Sequence, residues 1–160
     1  MLRDRNLVPL SHQHQHALSL CVRLDRTLQA GTVDLDSWQE EIHDCFEYEV
    51  SIHFEAEEQV LFPVAGQIAD LRDIVADLRS EHIELKQFFA MATQRRLALG
   101  DLPVFVEKLA RHIRKEEREL FEGMQKAMSP DQLAKLGAAL SDALKSATQA
   151  CSLPRKPRTT

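Results

Sequence analysis

The chain contains two copies of a His-x3-Glu pair, and these are the residues best suited to chemistry. The segment 53–62, HFEAEEQVLF, is echoed by the segment 112–121, HIRKEERELF, with His, Glu, Glu, Leu and Phe at matching positions. Residues four apart lie on the same face of a helix, so each copy directs one imidazole and one carboxylate the same way. Two such pairs that face each other would form a site for metal ions.

Breaker and cap residues divide the chain into five predicted helices, at roughly 10–30, 35–62, 68–99, 102–127 and 130–148. The boundaries rest on helix-starting and helix-ending residues, namely Pro9 with Ser11, Gly31, Asp34 or Asp36, Pro63, Gly66, Gly100 and the Ser129–Gln132 capping box. Four long helices with short connections predict an all-α fold, an antiparallel up-down-up-down four-helix bundle. The fifth stretch is amphipathic and predicts an extra C-terminal helix.

Helical periodicity places one His within the apolar stripe of each of the first four helices. His14 shares a face with Leu10 and Leu18, and His82 shares one with Leu78 and Leu85. A lone His in such a stripe is ordinarily a hydrogen-bonded core residue. Here, however, the pattern buries six polar side chains in one core, and each would cost roughly 1–3 kcal/mol if unpaired. A metal centre gives all of them one reason to be buried: His14, His53, Glu57, His82, His112 and Glu116.

The donor types narrow the choice of metal. The set has four imidazoles and two carboxylates but no thiolate, and it is too large for one tetrahedral zinc. It suits two octahedral first-row ions, with iron preferred over manganese or zinc. Four imidazoles, two bridging carboxylates and one oxo or hydroxo bridge leave about two of about twelve positions open. Open positions on a redox metal are where dioxygen, nitric oxide or peroxide would bind.

Composition limits the other classes of function. The 160 residues suit one domain, with residues 1–150 expected to form the bundle and accessory helix and the basic tail 151–160 expected to be disordered. A net charge of −5 argues against a nucleic-acid partner. No stretch approaches the ~18 apolar residues of a membrane span. The 3 cysteines lack metal-knuckle spacing, so we expect reduced thiols and a cytoplasmic location.

The residues resemble the hemerythrin-like, or HHE cation-binding, family over about residues 8–127. The resemblance rests on the segment 53–63, on Ser80-Glu81-His82, on the second His-x3-Glu pair and on the opening segment 10–18, LSHQHQHAL. It implies an antiparallel four-helix bundle that holds a non-haem di-iron centre with an oxo or hydroxo bridge. It also implies that Glu57 and Glu116 bridge the ions and that the full ligand set is His14, His53, Glu57, His82, His112 and Glu116.

The sequence departs from the oxygen-carrying members of that family. Those proteins have a second His on the third helix, where this chain has Lys86, and they use an Asp late on the fourth helix. The chain is more similar to the bacterial branch, which senses or reacts with oxygen, peroxide or nitric oxide. A seventh ligand from His12 or His16 would require an irregular first helix, and their outward position favours solvent exposure.

Other polar residues near the stripes carry expectations of their own. Glu49 lies one turn before His53, and we expect it either to hold the free ring nitrogen of a ligand His or to pair with Lys86 or Arg79. The remaining carboxylates beside the two His-x3-Glu pairs point away from the stripes on the helical wheel. We expect the following to be solvated: Glu55, Glu58 and Glu117.

Three hypotheses for function follow. The chain is a di-iron protein that binds or reacts with a small oxidant in sensing, detoxification or iron-centre protection, or a non-redox protein that buffers iron or zinc, or a metal-free interaction bundle. No sequence feature supplies an electron donor or a signalling output, so the sequence leaves enzyme activity open. A sensor or reductase would need a partner, either a second copy in a homodimer or an unidentified redox or signalling protein.

Overall fold

A computed structural model describes residues 1–147, and within them the chain forms five helices and no strand. Helix α1 is Val8–Ala30, α3 is Arg72–Thr93 and α5 is Pro130–Ala143. Helix α2 runs without a break through Leu35–Cys45, Phe46–Val50, Ser51–Ala56, Glu57–Leu61 and Phe62–Ala65. Helix α4 runs through Asp101–Lys115, Glu116–Leu120 and Phe121–Ala127, and a 3-10 turn at Ala69–Leu71 precedes α3.

The first four helices form the predicted antiparallel bundle. Helix α1 packs against α4 and α2, while α3 packs against α2 and α4. Helix α5 lies across one end of the bundle, against α2. The predicted all-α bundle with an extra C-terminal helix is therefore confirmed. No helix within residues 1–147 has the length and apolarity to cross a membrane, and the predicted tail 151–160 lies outside the described residues.

Several helix boundaries differ from the prediction for local reasons. Helix α1 begins before Pro9, because a residue without an N–H is tolerated in the first turn, where that group has no partner. Pro63 does not end α2, since it lies two residues after Glu57–Leu61, a stretch where the regular bonding pattern is already interrupted. Helix α3 stops at Thr93, because Arg95 adopts a left-handed backbone with φ of 57°. The predicted capping box of Ser129 and Gln132 is confirmed at the start of α5.

The sequence did not predict the three π-helical turns in the bundle. They cover Phe46–Val50 and Glu57–Leu61 in α2 and Glu116–Leu120 in α4. Two of them begin at the Glu of a His-x3-Glu pair. The similarity between the segments 53–62 and 112–121 therefore includes their backbone conformation. Such turns are rare and frequently lie at functional sites.

The apolar core has two parts that are separated along the bundle axis. The first cluster includes Leu20, Trp38, Ile42, Phe89 and Phe105. The second cluster, which α5 covers, includes Leu10, Phe62, Leu78, Phe121 and Leu140. Along α1, α2 and α3 the buried His lies about one turn from a member of each cluster. Along α4, His112 lies one turn after Leu109 of the first cluster, and Glu116 lies one turn before Leu120 of the second. The buried polar residues therefore form a layer between two apolar ones.

The cysteines only partly follow the prediction of reduced thiols. Cys21 is a free, buried thiol, and its burial raises its pKa to about 12. Cys45 is disulfide-bonded, so the prediction is wrong for that residue.

The position of α5 predicts that it contributes to the core rather than lying on it as an appendage. Leu140 is fully buried, so Leu140→Ala should lower the free energy of unfolding by about 2–4 kcal/mol. The control is Leu99→Ala, which truncates an exposed leucine between α3 and α4 and should cost less than about 0.5 kcal/mol. Urea denaturation followed by circular dichroism measures both, and equal effects would contradict the placement of α5.

Candidate metal centre

Four buried histidines converge on the layer between the two apolar clusters, one from each bundle helix. They are 1–5% exposed, and they direct their Nε2 atoms towards the centre of the bundle. The Nε2 atoms of His14 and His53 lie 3.0 Å apart. The helical wheel predicted this inward placement for each of the four, and the structure brings them together: His14, His53, His82 and His112.

Two fully buried carboxylates lie between the histidines. In Glu57, Oε1 is 3.1 Å from Nε2 of His53 and Oε2 is 3.3 Å from Nε2 of His82. In Glu116, Oε2 is 3.1 Å from Nε2 of His14 and Oε1 is 3.4 Å from Nε2 of His112. Each carboxylate therefore directs one oxygen to each side of the centre.

The donor atoms form two groups that share both carboxylates. One group contains His14 and His53, the other contains His82 and His112, and Glu57 and Glu116 belong to both. Within each group the donor atoms lie within 4.8 Å of one another. Two adjacent cations bridged by two carboxylates would require this arrangement.

The hydrogen bonding of these residues supports metal binding. Most buried side-chain atoms in residues 1–147 that lack a hydrogen-bond partner belong to this set: both oxygens of Glu57 and Glu116, and Nε2 of His82 and His112. Buried polar groups are almost always paired, because an orphan costs the full penalty of its desolvation. Cations at the centre would give all of these atoms partners. The residues therefore fit a metal centre of nitrogen and oxygen donors.

An outer layer of hydrogen bonds holds each imidazole in place through its other nitrogen. Each Nδ1 contacts one side-chain oxygen at 2.7–2.8 Å. Such a bond fixes the orientation of the ring and leaves Nε2 free for a metal. The pairs are His14 with Glu117, His53 with Gln13, His82 with Glu58 and His112 with Glu81.

Three of these four outer partners are carboxylates, and each one also binds a cation. Arg3 lies 2.6 Å from Glu117, Lys86 lies 2.6 Å from Glu58 and Lys115 lies 2.5 Å from Glu81. The prediction that Glu58 and Glu117 are solvated is therefore wrong, while Glu55 is exposed as predicted. Adjacent residues such as Glu57 and Glu58 face different neighbours. A helical wheel shows the residues of one helix only, so it did not reveal the contacts of Glu58 with the helix packed beside it.

The pKa shifts of the cluster show how its buried charges are balanced when no metal ion is bound. Burial by itself would lower the pKa of His14, but the carboxylates of Glu116 and Glu117 outweigh it and raise that pKa to about 10. Burial likewise opposes the charge on Glu57, yet His53 and His82 hold its pKa well below the usual range. In the metal-free protein a proton on an imidazole thus compensates the buried carboxylates, and a metal ion would displace it.

The remaining histidines of α1 differ from each other. His12 is exposed, as predicted. His16 is only partly exposed, and its Nδ1 lies 2.5 Å from Oε1 of the buried Glu49. Glu49 thus holds the ring of His16, which is outside the group of six, rather than the ring of a converging His. Lys86, one of the other predicted partners of Glu49, bonds Glu58 instead.

A small cavity adjoins one side of the centre. Its volume is about 10 Å³, which is room for about one water-sized molecule. Both histidines of one donor group line it, His14 and His53, together with Glu116 and with His112 of the other group. Most of its remaining wall is apolar, formed by Ala17, Val50, Phe54, Leu109 and Ile113.

Comparison with known proteins identifies the family. No curated protein and no solved structure is significantly similar to the chain. The model of the hemerythrin HHE cation-binding domain matches residues 7–123, a range that includes all six converging residues and the four bundle helices except the C-terminal end of α4. The chain therefore belongs to the hemerythrin HHE cation-binding domain family.

Proposed function

We propose that the chain is a non-haem di-iron protein whose centre binds or reacts with a small oxidant. The ligands of the two iron ions would be the six converging residues, with Glu57 and Glu116 as bridges beside an oxo or hydroxo group. The oxidant would be dioxygen, nitric oxide or peroxide, in sensing, detoxification or protection of the iron centre, as in the bacterial branch of the family. The observation that carries the proposal is the pair of donor groups that share both carboxylates.

The donor chemistry supports iron over the alternatives. Imidazole and carboxylate together suit iron and manganese, whereas a structural zinc site is usually tetrahedral and closed by four ligands. Six residues shared between two ions leave coordination positions open for an exogenous ligand. When bound, an iron pair supplies redox capacity and a Lewis acid at those positions.

The surrounding residues support a small ligand. The cavity that His14 and His53 line has room for about one water-sized molecule, which favours a ligand of few atoms over a larger substrate. The apolar clusters on both sides of the centre keep bulk water away from it. Turnover of an oxidant would need an external reductant, and sensing would need a partner protein or a second copy of the chain.

The outer layer supports a difference between the two ion positions. His82 and His112 are both backed by carboxylates, whereas His53 is backed by the neutral amide of Gln13. Carboxylate backing raises the basicity of a ligand imidazole. His14 is backed by the carboxylate of Glu117, so the position held by His14 and His53 would have one weaker donor, His53, and both of its histidines line the cavity.

Metal analysis tests the proposal directly. Protein purified aerobically from iron-replete medium should contain about two iron ions per chain, because the two donor groups form one bridged site. Its near-ultraviolet absorption should change when hydrogen peroxide or nitric oxide is added. Elemental analysis and optical titration provide the readouts. Stoichiometric zinc, or iron without any optical response, would favour a buffering role, and the absence of metal would favour an interaction bundle.

The bridging role of Glu57 predicts that its charge is required for metal binding. Glu57→Gln should lower the iron content from about two ions to one or fewer, since a neutral amide is a poor bridge. It should also abolish the rise in thermal midpoint that metal produces in the unsubstituted protein. The control is Glu55→Gln, which removes an exposed carboxylate from the same turn and should leave both quantities unchanged. Full iron content in Glu57→Gln would rule out this bridge.

The outer layer predicts that Glu58 supports metal binding without touching the metal. Glu58→Gln should weaken iron binding about tenfold or more, because His82 would lose its anionic partner. Competition with a calibrated chelator measures the affinity, again with Glu55→Gln as the charge-matched control. Equal affinities in the two variants would show that the Glu58 contact has no influence on the centre.

A further inference from the structure

The repeated segments share two residues that are not among the six converging ones and that contact a His of a neighbouring helix. In the segment 112–121 these are Glu117 and Phe121, and both contact His14 of α1. The carboxylate of Glu117 lies 2.7 Å from Nδ1 of His14. The ring of Phe121 stacks on the imidazole, with centroids 5.6 Å apart and an angle of 12° between the planes. The segment on α4 thus supports this imidazole both at its edge and on its face.

Arg3, which precedes α1, binds both of these supports. Its Nε and Nη2 atoms lie 3.1 and 2.6 Å from Oε2 of Glu117. The carbon at the centre of its guanidinium group lies 5.0 Å from the centroid of the Phe121 ring, within the range of a cation–π contact. One partly buried cation outside the bundle helices therefore holds both residues that hold His14.

Arg3 also contacts the backbone of the π turn that carries Glu117. Its Nη2 donates to the carbonyl oxygen of Glu117 at 2.6 Å, inside the turn Glu116–Leu120. A π turn replaces the regular bonding pattern of the helix, and such turns are frequent at functional sites. The contact fixes the backbone from which Glu117 extends to His14 and the adjacent Glu116 extends to the centre.

A similar arrangement occurs at the other repeated segment. Glu58 and Phe62 both contact His82 of α3, with a hydrogen bond of 2.8 Å to Nδ1 and ring centroids 5.2 Å apart. Arg79 donates to the carbonyl oxygen of Glu58 at 3.4 Å, and its guanidinium carbon lies 5.4 Å from the centroid of the Phe62 ring. The carboxylate of Glu58 is bound by Lys86 instead. Each repeated segment thus has one arginine on its π-turn carbonyl and over its final Phe.

We propose that Arg3 and Arg79 are positioning residues for two metal-binding histidines, His14 and His82. Each arginine holds a Glu and a Phe, and these two side chains hold one imidazole with its Nε2 directed at the centre. Arg3 has the larger effect, because its bonds are shorter, it also binds the carboxylate, and it is less exposed than Arg79. The inference rests on the metal centre of the proposed function and adds residues that set its geometry from outside.

The test measures metal binding with cobalt(II), a first-row ion that takes the same nitrogen and oxygen donors. Isothermal titration calorimetry of metal-free protein gives the total affinity for two ions. The variants are Arg3→Gln, Arg3→Lys and Arg79→Gln. The control is Arg5→Gln, which removes an exposed arginine from the same N-terminal segment. Circular dichroism and the thermal midpoint of each metal-free variant are measured alongside.

A graded loss of affinity is the expected result. Arg3→Gln should weaken cobalt(II) binding about tenfold, since residues that orient metal ligands commonly have effects of this size. Arg3→Lys should lie between Arg3→Gln and the unsubstituted protein, because an ammonium keeps the charge but lacks the planar fork. Arg79→Gln should cause a smaller loss than Arg3→Gln, and Arg5→Gln should cause none.

A double-mutant cycle separates positioning from a general effect on stability. Arg3→Gln is introduced into Glu117→Gln and, separately, into Glu58→Gln. In the Glu117→Gln background its effect on cobalt(II) affinity should largely disappear, because the carboxylate through which it acts is already gone. In the Glu58→Gln background it should keep its full effect, because Glu58 supports the other imidazole. The same loss in both backgrounds would show that Arg3 acts only on overall stability.

Other outcomes overturn the inference in distinguishable ways. Equal affinities in Arg3→Gln and Arg5→Gln would reject the role of Arg3 even if Glu117→Gln does not fold, and an unchanged affinity in Arg79→Gln would reject that of Arg79. Unsubstituted protein that binds cobalt(II) but is purified without iron would contradict the di-iron proposal and leave this inference to the variants. Unsubstituted protein that binds neither metal would overturn both.

Discussion

Two fully buried carboxylates at the centre of the bundle are the constraint on which the rest of the structure depends. Glu57 and Glu116 have no hydrogen-bond partner within residues 1–147, yet they lie where water is excluded. Removing an ion from water costs several kcal/mol even after relaxation. This cost explains why four imidazoles surround them and why a proton stays on His14 well above its usual pKa in the metal-free protein. A pair of cations would satisfy the same requirement more completely, because it would also give the orphaned atoms partners.

Charge compensation continues outwards from the centre in alternating shells. The central carboxylates face the imidazoles, three imidazoles face outer carboxylates, and each outer carboxylate faces a Lys or Arg. Each shell offsets the desolvation of the one inside it. The apolar clusters above and below the layer supply the packing that holds the helices at the required spacing. Stability and site geometry are therefore linked, because a shift of one helix would break a chain of contacts from the surface to the centre.

Sequence reasoning identified the six converging residues because their placement is a property of single helices. A buried stripe repeats with the helical period, so a His or Glu within it faces the core whichever helix packs against it. The outer partners were missed because their placement depends on two helices at once. Glu58 is outside the stripe of α2, but α3 lies beside it and brings His82 and Lys86 within 2.8 Å and 2.6 Å. The π turns were missed for a related reason, since no local residue pattern distinguishes them from regular helix.

Lys86 shows how a departure from a family pattern acquires physical meaning from its surroundings. In the sequence it marks the place where the oxygen carriers have a further His. In the structure its Nζ bonds Glu58, whose carboxylate also bonds Nδ1 of His82. The presence of Lys86 instead of a second His thus removes one metal donor from the third helix. Its bond to Glu58 also supports the carboxylate that orients the remaining donor, His82. A metal centre in this chain would therefore have one protein donor fewer on the third helix than the centre of the carriers.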